Sequence, residues 1–296
     1  MKILILGGAG MLGHKLVQQW RERFEVWTTV RGNYSSVERF GFFEREKTST
    51  NVAAENFDSI VRAFVVAKPD VVVNCIGVIK QLMGAKDPIL TLSVNSIFPH
   101  RVAQLCQVSG ARFITLSTDC VFSGEKGDYR ETDTPDAVDL YGQSKHWGEV
   151  TNENCLTVRT SIIGRELGTA HSLIDWFLSN RGLNRPLKGF TGAIYTGFPA
   201  TVLADILADI IEMRPNLSGL WHISSDPINK FNLLQMVNEE FNAGLEIESD
   251  SDFHCDRSLN SDLYRTEFNF KPSPWAQMIK QMASDPTPYD EFRRKW

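Results

Sequence analysis

Residues 1–23, MKILILGGAGMLGHKLVQQWRER, decide how this 296-residue chain folds. Ile3 to Leu6 are all apolar, as in a short strand buried on both faces. Gly7 to Gly13 are glycine-rich, and His14 to Arg23 read as a helix. The glycines at 7, 10 and 13 keep GxxGxxG spacing. Gly7 permits the tight turn, Gly10 lets the backbone approach a pyrophosphate, and Gly13 allows the helix to pack closely on the strand. A pyrophosphate so placed meets the free N–H groups and positive dipole end of the helix. A glycine-rich turn alone carries little weight. Between a strand and a helix it predicts a dinucleotide site built from Gly7, Gly10, Met11, Leu12 and Gly13.

The alternation continues outward from this unit. Strand-like runs at Glu25 to Val30, Val71 to Cys75, Arg112 to Ser117, Leu156 to Thr160 and Leu220 to Ile223 are separated by helical ones. The helices are expected at Asn56 to Ala67, Leu90 to Val108, Tyr141 to Asn152 and Ala200 to Met213. Ile60, Val61, Phe64 and Val65 keep helical spacing in the first of these. Short apolar strands alternating with helices imply a parallel sheet covered on both faces. After Ser224 the pattern changes to helices at Leu233 to Phe241, Ser261 to Phe268 and Trp275 to Ala283, with a polar, acidic stretch from Glu246 to Asp256. The expected fold is α/β, a Rossmann-type doubly wound parallel sheet with a smaller, mostly C-terminal α/β cap. Residues 1–164 form the dinucleotide-binding part, rejoined by segments of 196–224, and 165–195 with 225–296 form the cap.

Composition narrows the class. Hydrophobic residues are 42% and charged residues 23%, an ordinary globular balance that excludes a disordered or collagen-like chain. A formal net charge of −5 provides no global field for nucleic acid or anionic lipid. Any bound anion must be held by a local site. Cys75, Cys106, Cys120, Cys155 and Cys255 are widely spaced with no CxxC pair, which speaks for free thiols in a reducing compartment and against a metal site or disulfide framework. The apolar run at the start is too short for a signal peptide, and no stretch approaches 18 apolar residues. A cytoplasmic protein with no nucleic-acid or membrane partner is expected.

The end of the second strand bears on the cofactor. NAD binders place an acid there, on the ribose 2′-OH. Here Thr28-Thr29-Val30 leads to Arg31, whose planar fork suits a 2′-phosphate, so NADP is expected, with NADPH preferred over NADH. Asn74-Cys75-Ile76-Gly77 ends the strand Val71 to Cys75, and its small residues let a cofactor lie against the backbone. Ser117-Thr118-Asp119 ends another strand, and Tyr141 and Lys145 follow at i,i+4 on one helix face. A cation beside Tyr141 would lower its pKa towards use as an acid at neutral pH. Thr118 would donate a second hydrogen bond to the same oxygen.

GGAGMLG, NCIG, STDCVFSG, YGQSK and RTSIIG, in this order, resemble the extended short-chain dehydrogenase/reductase superfamily. Within it the chain is most similar to dTDP-4-dehydrorhamnose reductases and related nucleotide-sugar 4-keto reductases. Glu131, Asp133, Pro135, Gly148 and Glu149 add to that likeness. The resemblance implies that Tyr141 is the general acid, Lys145 its pKa modifier and ribose ligand, and Thr118 the carbonyl-polarising hydroxyl. It implies that Asp119 orients substrate or relays protons and that Asn95 supports a proton-relay water. On the substrate side it points to Arg257 at a nucleotide diphosphate, with Lys230 and Lys188 as weaker anion candidates and Thr196 near the sugar. His222 reads as a packed histidine. The branch commonly has STDYVF and RTSW. This chain has Cys120 in the Tyr place and Ile162 in the Trp place, positions that lie near the sugar in the family. The resemblance therefore carries the reaction class and leaves the sugar open.

The expectation is NADPH-dependent reduction of the 4-keto group of a UDP- or dTDP-activated 6-deoxysugar for surface polysaccharide precursors. The assembly it allows is a homodimer. A nucleotide-sugar epimerase or dehydratase, or a non-catalytic NADP-binding regulatory subunit, are the alternatives. A 4,6-dehydratase would carry a second acid after Asp119, where this chain has Cys120. A regulatory subunit would have no need of Thr118, Tyr141 and Lys145.

Overall fold

The computed structural model describes residues 1–80, 86–182 and 185–293. Lys2–Leu6 (β1), Met11–Trp20 (α1) and Glu25–Thr29 (β2) form the first unit, extended by Ser35–Glu38 (α2) and Thr48–Ser49 (β3). Phe57–Ala67 (α3) leads to Val71–Asn74 (β4). Pro88–Leu92 (α4) passes through a π turn at Ser93–Ile97 into Phe98–Ser109 (α5), and Arg112–Thr118 (β5) follows. Then come Leu140–Trp147 (α6), Cys155–Thr160 (β6), Ile162–Ile163 (β7) and Leu173–Ser179 (α7). Leu187–Tyr195 (β8), Phe198–Pro199 (β9), Ala200–Met213 (α8) and Gly219–His222 (β10) precede the C-terminal part. That part contains Ile228–Asn229 (β11), Lys230–Glu240 (α9), Ile247–Asp256 (β12), Asp262–Phe268 (α10), Trp275–Ala283 (α11) and Tyr289–Arg293 (α12).

Seven strands make one sheet in the order β10-β6-β5-β4-β1-β2-β3, with every pairing parallel. This is the Rossmann-type doubly wound sheet that the alternation predicts. The order reverses between β1 and β4, where a ligand crevice opens at the strand C-termini. β1 shows why its residues are all apolar. Ile3 and Ile5 enter the core on one face, with α1 and α8, and Leu4 and Leu6 enter the core on the other, with α3 and α5. The first of these cores also takes in Leu233 and Val237 of α9 and Met278 and Ile279 of α11, so the C-terminal helices pack into the same apolar mass.

A second sheet, β11-β8-β12, stands over the strand ends. β12 occupies the polar, acidic stretch from Glu246 to Asp256, in which no element is expected from the residues. Most of its side chains are exposed, so no apolar alternation marks it. Backbone pairing to β8, from Ile247 opposite Leu187 to Asp256 opposite Ile194, holds it as a strand with an irregularity between Asp250 and His254. The helix expected from Tyr141 to Asn152 ends at Trp147, followed by Gly148. All five cysteines are free, with Cys106 and Cys155 buried. Among the described residues no helix is long and apolar enough to cross a membrane.

Glu149, just past α6, ties the catalytic side of the sheet together. Arg159 of β6 donates to it twice, Nε to Oε1 at 2.7 Å and Nη2 to Oε2 at 2.8 Å. The Ser117 hydroxyl at the end of β5 donates to Oε1 at 2.7 Å. The pair is enclosed, with the two side chains 2% and 6% exposed. Burial works to raise the Glu149 pKa, but the hydrogen bonds and charge of Arg159 outweigh it and hold the carboxyl below its ordinary value. Removing one member of a buried pair strands the other, so Glu149→Ala should cost about 3–5 kcal/mol in urea unfolding. A group whose folded pKa is depressed stabilises above its unfolded pKa and loses that contribution as pH falls. The advantage of the native protein over Glu149→Gln should therefore shrink as pH drops below about 4. An unchanged midpoint for Glu149→Ala would show that the pair holds nothing in place.

Candidate active site

The dinucleotide end is built on close backbone approach. Gly7 has φ +84°, and a Cβ on Gly13 would lie 2.2 Å from the Gly7 carbonyl oxygen. Gly8 carries a constraint of the same kind that the spacing of the other glycines does not reveal: a Cβ there would meet the Thr28 hydroxyl at 2.0 Å. Gly10 is the N-cap of α1, with no side-chain cap and no acid in the first turn. The first-turn N–H groups thus have no intrahelical acceptor and form a cradle for an anion. The Leu12 side chain belongs to the core, which leaves its backbone N–H as the group available there. Met11 lines the catalytic cavity.

Beside the cradle a cavity of about 290 Å³ is lined by Gly7, Thr29, Arg31, Glu55, Ile76 and Gly77, among others. Arg31 is exposed and ion-paired with Glu55, so the rim holds an acid that the residues around Arg31 in the chain do not show. The Asn74 amide donates to Thr115 Oγ1 at 3.2 Å, and its oxygen accepts from the Ile76 N–H at 3.0 Å, which sets the strand-end turn. Burial raises the Cys75 thiol to about 12.

The catalytic cavity, about 440 Å³, lies at the ends of β5 and β6 and is roofed by β8, β12 and α9. Thr118, Asp119 and Tyr141 line it together. The Thr118 hydroxyl donates to Asp119 Oδ1 at 3.0 Å and accepts from the Cys120 N–H at 3.1 Å. Lys145 donates to the Leu116 carbonyl oxygen at 2.7 Å. Burial lowers the Lys145 pKa to about 8, and Glu149 works against that shift. Tyr141 departs from the expectation of a lowered pKa. Burial raises the phenol first of all, and hydrogen bonding with Thr118 works the other way. Tyr141 is therefore fully protonated at neutral pH.

Two glycines seat α6. A Cβ on Gly142 would lie 2.2 Å from the Cys120 carbonyl oxygen, and one on Gly148 would lie 1.9 Å from that of Asn95. Asn95 sits in the π turn between α4 and α5, an irregularity frequent at functional sites. Its amide oxygen accepts from the Val78 N–H at 2.8 Å, and its Nδ2 donates to the Val78 carbonyl at 3.0 Å and to Ser144 Oγ at 3.1 Å. Asn95 thus pins the crevice loop after β4 to the helix that carries Tyr141 and Lys145.

On the substrate side the structure separates the four candidates. Arg257 and Lys230 line the cavity. Arg257 Nε donates to the Phe122 carbonyl at 2.8 Å, which leaves the rest of its fork towards Cys120. Lys188 is exposed and paired with Asp250 at 2.8 Å, outside the cavity. Thr196 is buried, and its hydroxyl accepts from the Leu259 N–H at 3.0 Å, a packing role away from the cavity wall. His222 is buried beside Arg159 and held neutral, with its pKa lowered to about 4 by burial first and Arg159 second. Residues that reading the chain passed over include Tyr195 and Phe253 of the roof, together with Glu166, His171 and Leu173. Alternation in Leu187 to Tyr195 was the available signal for the roof strand. Among the described residues no group of three or more His, Cys, Asp or Glu side chains is placed to hold a metal ion.

A Rossmann sheet with this glycine cradle and a Thr–Tyr–Lys set at the strand ends defines an NAD(P)-dependent oxidoreductase of the short-chain dehydrogenase/reductase type. Residues 1–287 match the model of the RmlD substrate binding domain, and the chain belongs to that family. It is 25% identical over 310 residues to a dTDP-4-dehydrorhamnose reductase of Aggregatibacter actinomycetemcomitans, covering 96% of this chain and 98% of that one. It is 27% identical over 236 residues to a probable low-salt glycan biosynthesis reductase of Haloferax volcanii, covering 76% and 75%. The dTDP-4-dehydrorhamnose reductase of Bacillus anthracis, solved in complex with NADP, has the same fold, with a TM-score of 0.78 at 19% identity over 95% of this chain and 98% of that one.

The seating of α6 makes a direct prediction. In Gly142→Ala the new methyl collides with the turn after β5 and moves Tyr141 away from Thr118. Carbonyl-reducing turnover should fall about 100-fold, since small misplacements of reacting groups cost that much, while the circular dichroism of the fold stays native. Native turnover in Gly142→Ala would show that the helix position is not critical.

Proposed function

We propose that this protein uses NADPH to reduce the 4-keto group of a UDP- or dTDP-activated 6-deoxysugar, supplying precursors of surface polysaccharides. The observation that carries this reading is one cavity lined by Thr118, Asp119 and Tyr141 on the sheet side and by Lys230 and Arg257 on the roof side. A proton donor and Arg257, a cation for a diphosphate, thus share one cavity beside the dinucleotide cradle. The family relatives that act on glycans and on dTDP-4-dehydrorhamnose support the substrate class.

NADPH, when bound, supplies the hydride for the carbonyl carbon. Tyr141 gives its proton to the carbonyl oxygen as negative charge develops there, and burial ensures that it has the proton to give. Thr118 turns its hydroxyl from Asp119 to the same oxygen and provides a second hydrogen bond. Lys145, protonated below pH 8 or so, turns from the Leu116 carbonyl to stabilise the tyrosinate left behind and to hold the ribose. Asp119 orients the sugar, and Asn95 acts by fixing α6 against the crevice loop. Arg257 takes the diphosphate. Lys188 and Thr196 have no part in this scheme because neither reaches the cavity.

Arg31 is the proposed contact to the 2′-phosphate. Its pairing with Glu55 is an exposed ion pair, worth about 0–1 kcal/mol. Hydrogen bonds to a charged group contribute about 1.5–3 kcal/mol, so the phosphate displaces Glu55.

Tyr141→Phe removes only the proton donor, so reduction of a 4-keto nucleotide sugar should fall at least about 100-fold, with NADPH affinity retained in calorimetry. Near-native reduction by that variant would remove Tyr141 from the acid role. Arg31→Ala should weaken NADPH about tenfold or more, the loss of one such charged contact, and leave NADH nearly unchanged. Equal losses for both cofactors, or a native preference for NADH, would overturn the NADP assignment.

A further inference from the structure

Lys230, the first residue of α9, has no hydrogen-bond or ion-pair partner among the described residues. Its ammonium stands over the Tyr195 ring, 3.9 Å from the centroid, in the wall of the catalytic cavity. The other cations of that cavity are engaged. Arg257 is anchored on the Phe122 carbonyl, and Lys80 pairs with Asp139 at 2.8 Å. Burial lowers the Lys230 pKa to about 8, while the charge of Asp119 opposes the shift. The group is therefore still mainly protonated at neutral pH, and it lies within electrostatic reach of the residue next to Thr118. The Lys230 side chain is partly buried in the cavity wall, and its ammonium is free to donate to a group that enters the cavity.

Position, charge and room together say what it meets. Lys230 stands over Tyr195, whose hydroxyl lies beside the Ser161 carbonyl just past β6, and β6 pairs with β5 through Thr160 and Thr118. This puts the ammonium at the carbonyl end of the cavity, beside the sugar ring, with Arg257, anchored on Phe122, left for the diphosphate. Asp119 and a diphosphate already carry more negative charge than Lys230 and Arg257 offset, and a carboxylate on the sugar would widen that excess. The acceptor is therefore uncharged. Cys120 and Ile162 line the same cavity with small side chains that leave space beside the sugar. Ile162, Leu173 and Phe253 add an apolar wall. A carbonyl oxygen joined to a small apolar group matches all three features.

We propose that the sugar of the substrate bears an acylamino substituent, with Lys230 donating to its carbonyl oxygen and Cys120 and Ile162 leaving room for its acyl group. Lys230 is then a positioning residue that selects the substrate. The proposal rests on the reductase reading of the same cavity.

The test compares two nucleoside-diphosphate 4-keto-6-deoxyhexoses that differ only at C2, one acetamido and one hydroxyl. NADPH oxidation and calorimetric binding are followed for the native enzyme, Lys230→Met and Ile162→Trp. The native enzyme should prefer the acetamido sugar by about tenfold or more in kcat/KM, the scale on which one specific substrate contact discriminates. Lys230→Met should abolish that preference through KM, with kcat for the acetamido sugar within about twofold of native and the hydroxyl sugar hardly affected. Ile162→Trp, which fills the space without touching the charge, should likewise impair only the acetamido sugar. Absence of a native preference overturns the proposal. So does an equal rise in KM for both sugars in Lys230→Met, which would place the ammonium on the diphosphate. If neither sugar is reduced, the reductase reading fails, and binding decides the matter of Lys230. Tighter binding of the acetamido sugar that is lost in Lys230→Met upholds its role, and equal binding of the two sugars refutes it.

Discussion

One carboxylate, that of Glu149, keeps Thr118, Tyr141 and Lys145 in register. It receives Ser117 from the end of β5 and the guanidinium of Arg159 from β6, and it lies directly after the helix that bears Tyr141 and Lys145. Three elements that meet at the cavity are thereby joined at a buried point. A buried ion pair is weak evidence for net stability, because desolvation offsets much of the attraction. Its contribution here is geometric. Ser117 precedes Thr118, so the bond that holds β5 to Glu149 also sets where the Thr118 hydroxyl stands. Gly142, Gly148 and Asn95 complete the seating by letting α6 lie against the turn after β5 and the π turn before α5.

The parts of this arrangement that rest on local rules were legible in the chain. The strand–turn–helix at residues 1–23 needs apolar residues on both faces of β1 and glycines where backbones touch, and both demands show directly. The Thr118, Tyr141 and Lys145 set was legible from its order along the chain and its helical spacing. What escaped depends on contacts distant in sequence. β12 is a strand by pairing with β8 and has no apolar face to announce it. Lys188 and Lys230 are alike as lysines near aromatic and small residues. Only the fold turns one outward to Asp250 and the other over Tyr195. The Tyr141 phenol was expected to be lowered by Lys145. Enclosure wins instead, since the Lys145 ammonium is turned to the Leu116 carbonyl.

Charge in the cavity follows a similar logic. The chain is acidic overall, with a net charge of −5, yet its substrate side presents Arg257 and Lys230. The diphosphate of the proposed substrate is then met by a local cation, Arg257, against a mildly repelling surface. Asp119, buried beside Thr118, limits how much further negative charge the cavity can take. That balance admits a neutral sugar on a charged carrier, the arrangement a nucleotide sugar offers.

The central claim is net reduction of a sugar carbonyl, and isotope transfer tests it most directly. The enzyme would be supplied with a 4-keto nucleotide sugar and NADPH carrying deuterium at the transferable C4 position, and the products would be analysed by mass spectrometry and NMR. Reduction predicts one deuterium on the former carbonyl carbon for each NADPH oxidised. A sugar transformed with no net NADPH oxidation and no deuterium gained would instead mark an enzyme that recycles its cofactor. An unchanged sugar in the presence of bound NADPH would mark a protein that keeps the fold without the reaction.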